Sequence, residues 1–181
     1  MVVPFSVYIR FLLPKSWEGR EAIWVEGRNG DQIIAHDRGI LNLLRLRVNP
    51  RGRLAMFGNR YPITEIGVLN LVEKLVERAQ RERQSADGEV RYFEDAKVDG
   101  RPCTLIQVTH QERTPESDFY RARIFVDKQL GLPVHFEAYG WPANAAGEPQ
   151  LMEQYTYTKL ELNQGLNDAD FSPDNPQYHV K

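Results

Sequence analysis

Cysteine is nearly absent from this chain. One residue, Cys103, among 181 excludes an intramolecular disulfide framework and a multi-cysteine zinc site. Charge of one sign is missing as well. The 23 Lys and Arg stand against 25 Asp and Glu, a net charge of −2, which argues against a nucleic-acid binder held by a general basic field. No stretch approaches the roughly 20 apolar residues that a bilayer-spanning helix needs. Catalytic signatures are lacking too. There is no G-x-S-x-G elbow, no phosphate-binding G-x-x-x-x-G-K-[ST] loop and no G-x-G-x-x-G. The four histidines, His36, His110, His135 and His179, are too far apart in sequence to suggest a metal site. Neither a metal nor a cofactor is expected, and the chain reads as non-enzymatic.

What is present is an ordinary globular balance of 41% hydrophobic and 27% charged residues. A chain of this length buries about 70% of its unfolded surface. Its core therefore needs no covalent staple, and one domain over residues 1–181 is expected. The N-terminus lacks a basic n-region, and Arg10 interrupts its apolar run, so it does not read as a signal peptide. Taken literally, that start implies a cytoplasmic protein.

Most segments alternate at period two and predict strands. Residues 5–13 place Val7, Ile9 and Phe11 on one face and Tyr8 and Arg10 on the other. Residues 21–27 place Ile23 and Val25 opposite Trp24, and Arg28-Asn29-Gly30-Asp31 is a hairpin signal. Strands are also expected at 32–37, 40–48, 89–98, 102–111, 118–127, 133–139 and 151–162, the last with a bulge near Thr158-Lys159. One segment, 64–84, reads as a helix. Thr64 is its expected cap, and Ile66, Leu69, Val72, Leu75, Val76 and Ala79 form its apolar stripe. The outline is mainly β, four strands, a long amphipathic helix, five strands and a tail anchored by Phe171 and Tyr178. No repeat or internal boundary is visible. A single helix covers only part of so large an apolar sheet, so the sheet curls or another group fills the gap.

Two features stand out from this background. In Gly58-Asn59-Arg60-Tyr61-Pro62-Ile63-Thr64, the residues Arg60, Tyr61 and Thr64 suggest an anion or partner contact at a helix N-terminus. The same loop also serves simply to fix the entry angle of the helix. The second feature is a set of arginines interleaved with aromatics, namely Tyr8 and Arg10, Trp24, then Phe119, Arg121, Arg123 and Phe125. Such pairs stack on a solvent-facing sheet or meet an acidic partner or lipid head groups. His135 shares a polar face with Glu137, and Cys103 reads as a buried structural thiol.

The chain resembles an uncharacterised bacterial family of unknown function grouped with the LolA/LolB-like lipoprotein carriers. The resemblance is carried by Pro4-Phe5-Ser6-Val7-Tyr8-Ile9-Arg10-Phe11, Gly19-Arg20-Glu21-Ala22-Ile23-Trp24-Val25-Glu26-Gly27, Ala35-His36-Asp37 and Leu54-Ala55-Met56. It continues through Asn59-Arg60-Tyr61-Pro62-Ile63-Thr64-Glu65-Ile66-Gly67, 119–127 with 130–134, Tyr155-Thr156-Tyr157, Leu160-Glu161-Leu162-Asn163 and Phe171. It implies a curved, unclosed antiparallel half barrel of about nine strands, with the helix on its apolar concave face. It also implies residence in the periplasm or cell envelope. Family members begin with a signal peptide, a helix and a further strand, whereas this sequence opens in a later strand; either its start is called too late or it is a shortened LolA-like domain with an exposed sheet edge.

The functional expectation is a non-enzymatic binder or carrier of a lipid-like ligand or acylated protein. The ligand-facing set would be Ile9, Phe11, Ile23, Val25, Leu71, Leu75, Val76, Tyr120, Ile124, Val134, Phe136 and Tyr155. Each of these is equally readable as plain core. The alternative is an envelope interaction module that binds a protein partner, or a second copy of itself, through a sheet edge.

Overall fold

Among the described residues, alternating apolar side chains and well-placed turns produce nine antiparallel strands in two sheets. The computed structural model of the chain describes residues 4–36, 45–82, 88–114, 117–144 and 147–178. The first sheet joins β1 (Ser6–Arg10), β2 (Glu21–Val25), β3 (Ile33–His36) and β4 (Leu46–Val48) in chain order. A four-residue helix, α1 (Arg53–Met56), follows, and then α2 (Val68–Glu82). The second sheet joins β5 (Gly88–Val98), β6 (Arg101–His110), β7 (Arg121–Asp127), β8 (Pro133–Tyr139) and β9 (Leu151–Thr156), again in chain order. Two compact units result. One comprises Met1–Ile66 with Leu162–Lys181, and the other Gly67–Glu161. The chain is therefore mainly β, with two unclosed antiparallel sheets and one long helix among the described residues.

The first unit is organised by register. Ile9 pairs with Ala22, Ala22 with Ala35, and Ala35 with Leu46. Side chains directly opposite one another share a face. One face therefore carries Val7, Ile9, Ala22, Trp24, Ile33, Ala35, Leu46 and Val48. The other carries Tyr8, Glu21, Ile23, Val25 and Ile34. The C-terminal tail packs on this second face. Phe171 and Tyr178 cover Ile23, Val25 and Ile34, and the Tyr178 ring stacks on Tyr8 at 3.9 Å. Arg28–Asp168 and Arg45–Asp174 ion pairs of 2.7 and 2.6 Å hold the tail at its edges. The Tyr8 hydroxyl donates to Glu21, and burial together with that carboxylate pushes the Tyr8 phenol up to about 12.

Turn chemistry behaves as the dipeptides predict. Asn29, Gly30 and Asp31 all have positive φ, and Asp31 Oδ1 accepts the Gly27 N–H at 2.9 Å. Three expectations are corrected. The long helix starts at Val68 rather than at Thr64, because Gly67 (φ 106°) separates it from a short 3-10 turn at Ile63–Glu65. Thr64 lies inside that turn and caps nothing. The last strand ends at Thr156 rather than near residue 162, since the left-handed backbone of Lys159 (φ 51°) breaks the extended run. The part of the predicted 40–48 strand before Arg45, the helix end beyond Glu82 and the position of His179 lie outside the described residues.

In the second unit, Leu71 and Leu75 of α2 pack together with Phe119 on a sheet face of Ala122, Phe136 and Ala138. Cys103, Leu105, Phe125 and Val134 form a separate cluster. Val134 joins that cluster, away from Phe136 and Ala138, because the β7–β8 register slips between Phe125 and Val126. Cys103 is fully buried, and burial, with Asp127 nearby, pushes its thiol upward. Asp127 ends β7 and binds the turn that follows. Arg101 donates to its carboxylate, as do the Gln129 and Leu130 backbone N–H groups at 2.8 Å.

These donors depress the Asp127 carboxyl to about 2, below its ordinary value of 3.8, with Arg101 the largest cause. Its contribution is complete above the ordinary value and is lost as pH falls through the depressed one. Asp127→Asn therefore lowers the thermal midpoint at neutral pH and flattens the acid limb between those values. Thermal melts at stepped pH check this, and a variant with the wild-type acid limb would count against it.

Candidate functional site

The first sheet's outer row is bulky and its central row is small. Ala22 and Ala35 are neighbours in register, flanked by Ile9 and Leu46. Trp24 and Ile33 pack with Ile63 in the adjoining layer. Above the two alanines, methyl groups stand where larger side chains would otherwise fill the layer. The covering segment does not descend into the space. The result is a half-open apolar cleft of about 370 Å³, within the range of small-ligand sites. Ala22 and Ala35 form its floor, and Leu54, Ala55 and Phe57 its cover.

One wall is built from the β1–β2 loop. The Phe11 N–H donates to the Arg20 carbonyl at 2.9 Å, which extends the pairing and sets both side chains on the cleft's face. Trp17 packs edge-on to Phe11 at 5.5 Å, and the Arg20 guanidinium lies 5.5 Å from the Trp17 ring centre. Such a contact contributes about 0.5–1 kcal/mol at an exposed site. The opposite rim carries Asn59, which donates to the Ala55 carbonyl at 2.8 Å, and Tyr61. Arg20 is the lining's one lysine or arginine among the described residues. The cleft is thus a mainly apolar trough whose polar lining residues are Arg20, Asn59, Tyr61 and the buried Glu21 and His36.

The predicted ligand-facing set is dispersed by the structure. Ile9 and Phe11 line the cleft. Ile23 and Val25 lie on the opposite sheet face, in the core under Phe171 and Tyr178. Leu71, Leu75, Ile124, Phe136 and Tyr155 belong to the helix-covered cluster of the second unit. Val134 is in the Cys103 cluster. Tyr120 lies edge-on to Trp141 at 6.2 Å, and Val76 is 50% exposed. The predicted anion contact also separates. Tyr61 lines the cleft, and Arg60 lies 5.9 Å from its ring centre. Thr64 lines a second hollow with Trp24, Asp31 and Arg51.

The arginine–aromatic set resolves in the same way. Trp24 is buried, its Nε1–H donating to the Asp31 carbonyl at 3.3 Å. Phe119 lies in the apolar cluster, because β7 begins only at Arg121 and the strand alternation does not reach it. Arg121 and Arg123 do cover rings, those of Tyr139 at 5.0 Å and Phe125 at 5.2 Å. Beside them Glu137 gathers a polar network. Arg123 Nη1 and the Tyr139 hydroxyl each donate to Glu137 Oε2 at 2.9 Å. His135 Nε2 lies 3.0 Å from Oε1, and its Nδ1 lies 2.7 Å from the Thr156 hydroxyl. A neutral ring that donates to the carboxylate accepts that hydroxyl. Burial pushes the Glu137 carboxyl up, but His135, Tyr139 and Arg123 outweigh it and hold it below the ordinary carboxylate range. The network ties β7, β8 and β9 together across a sheet face. It is a fastening among strands with its acceptor oxygens filled.

Of the cleft lining, sequence reasoning found only Ile9, Phe11 and Tyr61; those it missed include Trp17, Arg20, Glu21, Ala22, Ala35, His36, Leu54 and Phe57. The signal was there in part, since two alanines on the apolar faces of strands joined by a tight hairpin mark a thin place in a layer.

The family model described as "Protein of unknown function (DUF1571)" matches residues 2–180, and the chain belongs to that family. No curated protein matches it. Among solved structures, it is similar to a chain from the CwlD amidase from Clostridioides difficile in complex with the GerS lipoprotein. That likeness has a TM-score of 0.42 at 12% identity, over 88% of this chain and 70% of the other. A DUF1329 family protein from Desulfovibrio piger gives a TM-score of 0.31 at 17% identity, over 74% and 50% respectively. At these scores neither bears on function.

Two outcomes are expected. A Cβ on Gly58 (φ 72°) would stand 2.6 Å from the Trp17 ring. Gly58→Ala therefore costs about 1–3 kcal/mol of stability and shifts the Trp17 emission. Chemical unfolding read by tryptophan fluorescence checks both, and unchanged emission would remove Trp17 from the wall. For Glu137, the folded carboxyl is held low, so its contribution is complete above the ordinary glutamate value and disappears as pH falls through the lowered one. Glu137→Gln reduces this acid sensitivity in urea unfolding at stepped pH, and an unaltered pH dependence would show the network to be energetically idle.

Proposed function

We propose that this DUF1571 protein is a non-enzymatic binder or carrier of a lipid-like ligand, and that the alanine-floored cleft of the first unit holds the apolar part of that ligand. The observation that carries the reading is the cleft itself, an unfilled apolar trough of about 370 Å³ in an otherwise covered sheet face. An extended chain suits it better than a polar metabolite. Its lining is mainly methyl, methylene and ring surface, with Arg20, Asn59, Tyr61 and the buried Glu21 and His36 as its polar members. Burial of apolar surface there is favourable by about 25 cal/mol per Å², and orientation would come from the few rim groups. The likeness of the chain's motifs to LolA/LolB-like carriers, and the cell-envelope address that goes with it, form part of the same proposal.

The test is uptake of a long-chain fluorescent fatty-acid analogue by the purified chain, with native mass spectrometry for co-purified lipid. Wild type is expected to bind one probe molecule. Ala35→Phe places a ring on the cleft floor and is expected to weaken binding at least about tenfold while the chain stays folded. If wild type takes up no probe and carries no lipid, the reading fails. If Ala35→Phe binds as well as wild type, the ligand sits elsewhere.

A further inference from the structure

The most exposed large apolar side chains among the described residues are Leu13 at 78%, Phe57 at 74%, and Leu12 and Leu54 at 71%. All four lie in two segments that frame the cleft. Leu12 and Leu13 sit between Phe11 and Trp17, and Leu54 and Phe57 belong to the cover. The segments are in contact, since the Trp17 ring lies against Gly58. Their charge is as uneven as their polarity. Residues 11–20 and 51–61 contain Lys15, Arg20, Arg51, Arg53 and Arg60 against one carboxylate, Glu18, in a chain of net charge −2. Arg51 pairs with Glu65 at 2.7 Å, outside these segments.

We infer that this rim is a docking surface for an anionic lipid bilayer. Exposed leucine and phenylalanine side chains ringed by cations fit the boundary between head groups and acyl chains. There the apolar groups enter and the basic stems lie along the surface with their charges at the phosphates. Patches of this kind on a soluble domain mark interaction sites, and the local excess of cations selects an anionic partner. The choice of a bilayer over an acidic protein rests on the cleft reading. The patch is continuous with the cleft's mouth, so a lipid chain can pass between bilayer and cleft along unbroken apolar surface.

Co-sedimentation of the full chain with vesicles tests this. Phosphatidylcholine vesicles are compared with phosphatidylcholine–phosphatidylglycerol vesicles, at low and high salt. Binding is expected only to the anionic vesicles and is weakened by salt. Leu13→Asp and Arg53→Glu, which lie outside the cleft lining, are each expected to reduce it about tenfold or more while retaining uptake of the fatty-acid probe. Leu166→Asp, at another exposed apolar position, is expected to change neither. Equal binding to neutral vesicles, or full binding by both rim variants, overturns the inference. So does a solution dimer that Leu13→Asp dissociates, because the patch would then belong to a second copy. Loss of probe uptake with vesicle binding intact would instead count against the cleft reading and leave the docking surface standing.

Discussion

The first unit depends on one constraint, the in-register pairing of its four short strands. A shift of one residue would exchange the two faces entirely. The observed register puts Tyr8, Ile23, Val25 and Ile34 under the tail and puts Ile9, Ala22, Ala35 and Leu46 in a row on the other side. One face is sealed by aromatic stacking of Tyr178 on Tyr8. The other is sealed where Trp24 and Ile33 meet Ile63, and stays open over the alanines. The cleft is a consequence of the same pairing that makes the core.

The second unit shows how small departures from regular pairing redirect side chains. The β7–β8 slip at Phe125/Val126 moves Val134 from the helix-covered face to the cluster around Cys103. A further slip between Phe93 and Ala96 lets Ala96 pack on that cluster as well. The sheet's polar face is fastened by charged side chains, with Glu137 drawing on three strands and Asp127 binding the turn after its own strand. Both carboxylates are held ionised by specific donors rather than by general charge. Their contributions are therefore local and acid-labile.

The architecture was legible in the sequence because its signals are local. Period-two alternation, the Asn29-Gly30 turn and the apolar spacing of α2 each report on a few neighbouring residues. The start of α2 was misread because Thr64 and Glu65 have the right composition for a cap. Only the backbone shows that Gly67 restarts the chain. The helix stripe was half right. Leu75 packs on the sheet, whereas Leu69 and Val76 face solvent, and the stripe missed Leu71. An apolar arc wider than the contact it makes cannot reveal which edge of it is used. The cleft was less legible still. Ile9 and Phe11 were identified, but they were grouped with Ile23 and Val25 across a sheet whose register the sequence does not state. A hollow is defined by side chains that are small, and methyl groups give no periodic signal.

The hollow persists because the parts around it cannot collapse inward. Its floor alanines sit on strands whose spacing, about 4.8 Å, is fixed by hydrogen bonds. Its cover is held off by the Trp17 ring, which packs between Phe11 and the bare Cα of Gly58. A larger residue at Ala22 or Ala35 would bury more apolar surface and close the layer. Leaving the space unfilled therefore forgoes core stabilisation of the order seen when a large side chain is cut back, about 2–5 kcal/mol. The same region leaves Leu12, Leu13, Leu54 and Phe57 in solvent. A domain seeking only stability and solubility would gain by removing both features. Their occurrence side by side, trough and exposed rim sharing Trp17, Leu54 and Phe57, is the arrangement that the proposed entry of a lipid chain through that rim requires. That adjacency ties the proposed ligand to the proposed surface.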